Sequence, residues 1–161
     1  MVRLYKLGCD MSDKASGAKG QLTHVQTDGD NTYYLFQPKG LNPETGLPVD
    51  SKWICAWRVV DGLKVQVELP IELVGTAVRD RASGFGGIVT FVELHINGCL
   101  HALIQAKGEV KKTGAMVVES NFDIRRLTGA RVPTFGSDGA MVRHMKKKPS
   151  PAPSTAYVPT S

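Results

Sequence analysis

Residues 13–20 read DKASGAKG, and residues 80–87 read DRASGFGG. Asp and Ser side chains hydrogen-bond to the backbone of a turn, and glycine adopts the positive φ that such turns require. The identity extends outward from these stretches to the pairs Gly8/Gly75 and Thr23/Thr90. The same turn is therefore predicted twice, and the chain is interpreted as a tandem duplication.

The similarity continues beyond the turn, with small shifts in alignment. Gln37 falls on Gln105, and Trp53 falls on Phe122. Each copy then predicts short strands separated by glycine-containing turns, and the Asn97–Gly98 pair predicts a tight hairpin. The first strands are centred on Met11 and Val78, and the predicted later strands are residues 21–25, 32–36 and 53–60 in the first copy and residues 88–92, 99–104 and 122–127 in the second.

Many short strands with glycine at the bends predict an all-β protein without a helical stripe. We expect two tandem SH3-like barrels with an extended C-terminal arm, because a barrel hides its strand edges by closing on itself. The boundaries are residues 1–62, 63–132 and 133–161, and the alternation in residues 65–71 predicts a further strand between the copies. The residues expected to shape the turns are Asp13, Ser16, Gly17, Gly20, Asp80, Ser83, Gly84, Gly87, Asn97 and Gly98.

Positive charge is concentrated near the C-terminal end of the sequence. Of the 20 Lys and Arg residues, four follow Asp138, which leaves 16 basic against 15 acidic residues in the rest. Prolines and small polar residues after Lys148 favour an extended chain. We expect this arm to contact neighbouring subunits through Arg143, Lys146, Lys147, Lys148, Tyr157 and Val158.

Composition excludes several classes of protein. The sequence contains no apolar run of 18 or more residues, so no membrane contact is expected. Cys9, Cys55 and Cys99 are widely spaced, and they are expected to be free thiols of a protein made in a reducing cytosol. A nearly neutral body disfavours nucleic acid as the partner.

The candidate chemical sites have simpler structural interpretations. His95, Cys99 and His101 are residue types that bind zinc. A structural zinc site needs four ligands, and the first copy offers only His24 nearby, so ordinary hairpin packing is favoured. Cys99 with His101 lacks an orienting carboxylate, so we expect no catalysis, no metal and no cofactor. Residues 83–87 lack the ending of a phosphate loop. Aromatic side chains that could form a stacking platform for single-stranded nucleic acid are more typical of a core, and they are Tyr33, Tyr34, Phe36, Trp53, Trp57 and Phe91.

The second copy contains a pattern that resembles a family of small proteins encoded by tailed bacteriophages and prophages. Its elements are Asp80, residues 83–85 (SGF), Gly87, residues 97–99 (NGC) and the Phe122–Asp123 pair. The first copy keeps the turn but has Ala18 in place of the phenylalanine. The turn is also similar to that of KOW and SH3-like modules.

The resemblance implies a non-enzymatic structural protein of the virion, which decorates or stabilises the capsid or serves as a head–tail accessory. Its expected partners are major capsid or head–tail proteins and further copies of the chain itself, and the protein is expected to be made in the host bacterial cytoplasm. The alternative is a phage binding module outside the virion that contacts a host protein or nucleic acid.

Overall fold

The computed structural model describes residues 1–106, 119–136 and 141–142. It confirms an all-β fold in which short 3-10 turns supply the only helical segments of the described residues. The elements of the first repeat are β2 (Asp10–Asp13), β3 (Lys19–Thr27), β4 (Thr32–Pro38), β5 (Lys52–Cys55), the 3-10 turn η1 (Ala56–Arg58) and β6 (Val59–Val60). Those of the second are β8 (Ala77–Asp80), β9 (Gly86–His95), β10 (Leu100–Gln105), β11 (Ser120–Asp123), η3 (Ile124–Arg126) and β12 (Leu127–Thr128).

Each repeat follows the same path. The first strand pairs with the second and with the last, the second pairs with the third, and the third pairs with the fourth, always antiparallel. These pairings do not close into a barrel, because no described pairing joins the fourth strand back to the fifth. The strand content therefore agrees with the expected class, while closure into two barrels is not seen.

Strands outside the repeats form smaller sheets. The N-terminal strand β1 (Val2–Tyr5) pairs with β7 (Lys64–Val67), which lies between the repeats. The predicted linker strand over residues 65–71 is wrong at its end, because a 3-10 turn, η2 (Ile71–Leu73), follows Pro70. Proline lacks the N–H that a continuing ladder would need. The remaining strands, β13 (Thr134–Phe135) and β14 (Met141–Val142), pair with each other.

The predicted continuous last strands are also wrong. Residues 53–60 are interrupted by η1, and residues 122–127 are interrupted by η3. In the second repeat the Asp123 carboxylate caps the turn by accepting a hydrogen bond from the Arg125 N–H. The register of the pairings aligns Ile54 with Phe122 and Trp53 with Asn121, which corrects the sequence alignment of Trp53 with Phe122 by one residue.

The repeats join edge to edge. Strands β3 and β9 pair antiparallel and make one ten-stranded sheet from both copies. Gln26 lies opposite Glu93, its own counterpart in the alignment that pairs Gly20 with Gly87, so the register is symmetric about this pair. We call this β3–β9 junction the seam.

Both cores lie on one face of the seam. Val25 and Leu94 are paired across it, and Leu94 of the second repeat packs against the core of the first. Leu100 packs against both cores. The first core contains Leu4, Met11, Leu22, Val25, Tyr34, Phe36, Ile54, Val59 and Leu69, and the second contains Leu73, Val78, Val89, Val92, Ala102, Ile104, Ile124 and Leu127. Because side chains alternate along strands, residues next to Val25 and Leu94 point to the opposite face.

Candidate functional site

The turn that repeats in the sequence is built around a buried aspartate. In the first repeat, the Ser16 hydroxyl donates to Asp13 Oδ2 at 2.5 Å, and the Gly17 N–H donates to the Asp13 carbonyl. Arg58, at the end of η1, donates through Nε to Oδ1 and through Nη2 to Oδ2, at 2.8 and 2.6 Å. This bidentate pair ties the turn to the last strand.

The second repeat has the same arrangement at Asp80. Ser83 Oγ donates to Asp80 Oδ2 at 2.6 Å, and Arg126 donates from Nε and Nη2 to the two carboxylate oxygens at 3.0 and 2.8 Å. The hydrogen bonds of the arginine and serine hold the pKa of Asp80 well below its ordinary range, and the same groups lower the pKa of Asp13. Both carboxylates are therefore anionic parts of the scaffold.

The arginines of these clusters were missed by the sequence analysis. Arg58 and Arg126 lie in corresponding 3-10 turns, each followed by an apolar residue, Val59 or Leu127. That shared Arg–apolar pair is the signal that could have revealed them. The sequence alignment, which placed Trp53 on Phe122, was off by one residue in this region and therefore did not align the two arginines.

The other predicted turn residues occupy bends or close approaches. Gly17, Gly84 and Gly98 have φ between 68° and 84°. Asn97 Oδ1 accepts the Cys99 N–H in the hairpin between β9 and β10. At Gly20 and Gly87, an added Cβ would lie 2.2 Å from a backbone carbonyl oxygen of the neighbouring strand.

The face of the seam opposite the cores carries a cluster of polar side chains from both repeats. His24 of β3 lies opposite His95 of β9, and Glu93 of β9 lies opposite His101 of β10. The ring centroids of His24 and His95 are 4.1 Å apart, and those of His95 and His101 are 4.3 Å apart. One potential ligand atom from each of His24, Glu93 and His95 lies within 4.8 Å of the other two. We call these three residues the seam cluster.

Burial controls the ionisation of the seam cluster. Glu93 is 6% exposed, and desolvation raises the pKa of its carboxyl. Desolvation also lowers the pKa of His24 and of His95, so their neutral imidazoles are favoured. A neutral imidazole has a lone pair available for a metal ion or a hydrogen-bond donor.

Hydrogen bonds position two members of the cluster. Asn121 Nδ2 donates to Glu93 Oε2 at 3.0 Å. The Thr23 hydroxyl donates to the Leu35 carbonyl and lies 2.9 Å from His24 Nδ1. In the tautomer whose Nδ1 donates to Thr23, the lone pair of the His24 imidazole resides on Nε2.

The seam cluster differs from the set His95, Cys99 and His101, which the sequence offered as candidate zinc ligands. His95 and His101 are close, but Cys99 lies in the hairpin, and Glu93 and His24 take its place beside His95. Glu93 was missed because only cysteines and histidines were considered. Its position two residues before His95 on a strand, which places both side chains on one face, was the available signal.

The aromatic set does not form one surface. Tyr34 and Phe36 are buried in the first core, while Tyr33 and Phe91 meet edge to face with ring centroids 6.2 Å apart. Trp53 contacts the His24 ring edge to face, and Trp57 is exposed on η1. The expected arm residues Arg143, Lys146, Lys147, Lys148, Tyr157 and Val158 lie outside the described residues.

The repeats differ in the exposed side chains of their fourth and fifth strands. Trp53, Trp57 and Val60 of the first repeat are 42%, 67% and 36% exposed. The aligned positions of the second repeat hold Asn121, Arg125 and Thr128. One copy is thus apolar on the outside where the other copy is polar.

No family model, curated protein or solved structure matches the chain. Among the described residues, no helix is long and apolar enough to cross a membrane.

Proposed function

We propose that the protein is a non-enzymatic structural component of a bacteriophage virion that binds neighbouring subunits through its repeats and its C-terminal residues. It decorates or stabilises the capsid or acts at the head–tail junction. The resemblance of the pattern in the second copy to that of small phage proteins supports the placement in a virion. The buried carboxylates of Asp13 and Asp80 are both held by arginine within the scaffold, so they serve the fold rather than a reaction in this proposal.

The observation that carries this proposal is the apolar exterior of the first repeat. Trp57, on η1, is 67% exposed, and Trp53 is exposed on the preceding strand. Large aromatic side chains contribute most of the binding energy at many protein interfaces. The second repeat has Arg125 and Asn121 at these positions, so the scaffold does not require aromatic residues there. Their presence in one copy only is accounted for by contact with a protein partner.

The finer fold is part of the same proposal. We infer that each repeat is an SH3-like barrel, open at one side, whose long strand lies at the seam. The return of β6 to β2, and of β12 to β8, supports this interpretation because it winds five strands along one curved path.

The proposed function is tested on purified particles of the phage or prophage that encodes the chain. Mass spectrometry of density-purified virions is expected to detect the protein in a fixed ratio to the capsid or tail proteins. Absence from intact particles would overturn the proposal. Retention on nucleic acid with a steep salt dependence, in place of particle binding, would favour the non-virion alternative.

Two substitutions and one deletion then locate the contact on particles made without the protein. Trp57→Arg, which installs the residue of the second repeat, is expected to weaken binding by at least about tenfold, as for an interface hot spot. Arg125→Ala, at the aligned position, serves as the control and is expected to bind normally. Deletion of residues 146–161 is expected to weaken binding while the repeats stay folded. Normal binding by Trp57→Arg would exclude the first repeat as the contact.

A further inference from the structure

We propose that His24, Glu93 and His95 form a binding site for a divalent transition metal ion of the zinc class, which ties the two repeats together across the seam. This proposal is independent of the proposed role in a virion, because it depends only on the geometry of the seam.

The spacing of the side chains suits one shared ion. His95 Nε2 and Glu93 Oε1 are 3.1 Å apart. Two ligand atoms that each lie about 2.0–2.2 Å from a tetrahedral zinc are about 3.4 Å from each other. All three ligand atoms fall within 4.8 Å. Each pair of ligand atoms would therefore have to approach by no more than about 1.4 Å to share one ion.

A buried atom without a hydrogen bond marks the same place. His95 Nε2 has no hydrogen-bond partner among the described residues, although Glu93 Oε1 is near, because the two groups are not aligned for a hydrogen bond. An unsatisfied buried nitrogen beside a buried carboxylate is costly. A cation placed between them would satisfy both, since each would supply a lone pair to it.

The surrounding residues have the roles expected around a metal ligand. The Thr23 hydroxyl lies 2.9 Å from His24 Nδ1, where it can accept a hydrogen bond from the tautomer whose Nε2 is free to bind a metal, and Asn121 holds the second oxygen of Glu93. Such outer contacts fix the tautomer and orientation of metal ligands. The His101 ring lies against the His95 ring, with centroids 4.3 Å apart.

The ligand types select the class of metal. Two imidazoles and one carboxylate suit zinc and its neighbours, whereas calcium and magnesium prefer sites made of oxygen atoms alone. His24 belongs to β3 of the first repeat, and Glu93 and His95 belong to β9 of the second. An ion held by all three therefore adds a bond between the repeats, and its binding stabilises the folded state.

The full-length protein, freed of metal with a chelator, is titrated with zinc chloride in a calorimeter. One zinc ion per chain is expected, together with a rise in the unfolding temperature. Cobalt(II) is expected to give the visible absorption of a tetrahedral nitrogen–oxygen site. Failure to bind either ion at millimolar concentration would overturn the proposal.

Substitutions separate this site from adventitious binding. His24→Gln and Glu93→Gln are each expected to weaken zinc binding at least about tenfold, with circular dichroism used to verify that both remain folded. Cys99→Ser and His144→Gln are controls that remove other potential ligands, and they are expected to bind as the unmodified chain does. Affinity that survives both seam substitutions, or that falls only in the controls, would refute the seam site. Should Glu93→Gln fail to fold, His24→Gln decides the outcome.

Discussion

At the residue scale, the buried aspartate is the centre of each repeat. Asp80 receives a bidentate pair from Arg126 and the hydroxyl of Ser83, and it joins the tight turn to the fifth strand. A fully hydrogen-bonded carboxylate of this kind tolerates burial because its charge is compensated on every side. The turn motif is therefore a folding element, and its repetition reflects the architecture of the chain.

These aspartates give stability a defined pH dependence. Their pKa values are lower in the folded chain than the value of about 3.9 in an unfolded one, so they stabilise the protein above that value. This stabilisation is expected to be lost progressively as the pH falls below about 5. In denaturant titrations, Asp80→Asn should be less stable than the unmodified chain at pH 7, and the difference should shrink in acid.

Asp30→Asn provides the control, because Asp30 is an exposed carboxylate at the tip of the β3–β4 hairpin. Its unfolding free energy should follow that of the unmodified chain from pH 7 downward. A difference between Asp80→Asn and the unmodified chain that stays constant in acid would contradict the assigned role of Asp80.

At the element scale, the start of β9 lies close against the end of β10. A Cβ on Gly87 would stand 2.2 Å from the Gln105 carbonyl oxygen and 2.9 Å from Ala106 Cα, both of which are backbone atoms. Position 87 therefore requires glycine because a Cβ would clash with the neighbouring backbone, and not because of a positive φ. Gly20 has the same role in the first repeat, where the nearest atom is the Gln37 carbonyl oxygen.

Gly87→Ala is expected to lower the free energy of unfolding by roughly 2–3 kcal/mol, because the backbone must move to admit the methyl group. The adjacent Gly86 is the matched control. Its added Cβ would be 3.3 Å from the Val78 carbonyl oxygen, so Gly86→Ala should cost less than about 1 kcal/mol. Equal denaturation midpoints for the two variants would show that the close approach at Gly87 is not a constraint.

At the scale of the whole molecule, the seam makes the two repeats one sheet. Val25 and Leu94 pair across it, and Leu94 packs into the core of the other repeat. A repeat of about 60 residues buries a small share of its surface and is marginally stable alone, and sharing a sheet increases the burial of both repeats. We expect the repeats to unfold together.

The two tryptophans allow this to be measured, because Trp53 and Trp57 both lie in the first repeat. Ile104→Val, in the core of the second repeat, should cost about 1 kcal/mol. It should move the tryptophan-fluorescence midpoint and the circular dichroism midpoint by the same amount. The control Ile96→Val, at a position 53% exposed, should move neither. An unchanged fluorescence midpoint with a split circular dichroism transition would mean independent repeats.

Sequence alone determined the features that depend on neighbouring residues. The duplicated turn, the positive-φ glycines and the Asn97–Gly98 hairpin are local, since a few adjacent side chains and φ angles specify them. Strand type followed from the same signals. The 3-10 turns η1 and η3 escaped prediction because apolar and aromatic residues around them favour a strand equally well by composition.

Only the tertiary structure decided which distant groups meet. Arg58 reaches Asp13 from 45 residues away, and His24 comes beside Glu93 and His95 only because β3 and β9 pair in a particular register. A shift of one residue would turn the histidines into the core. That register is set by the packing of Val25, Leu94 and their neighbours on the other face of the sheet, which is a property of the assembled molecule.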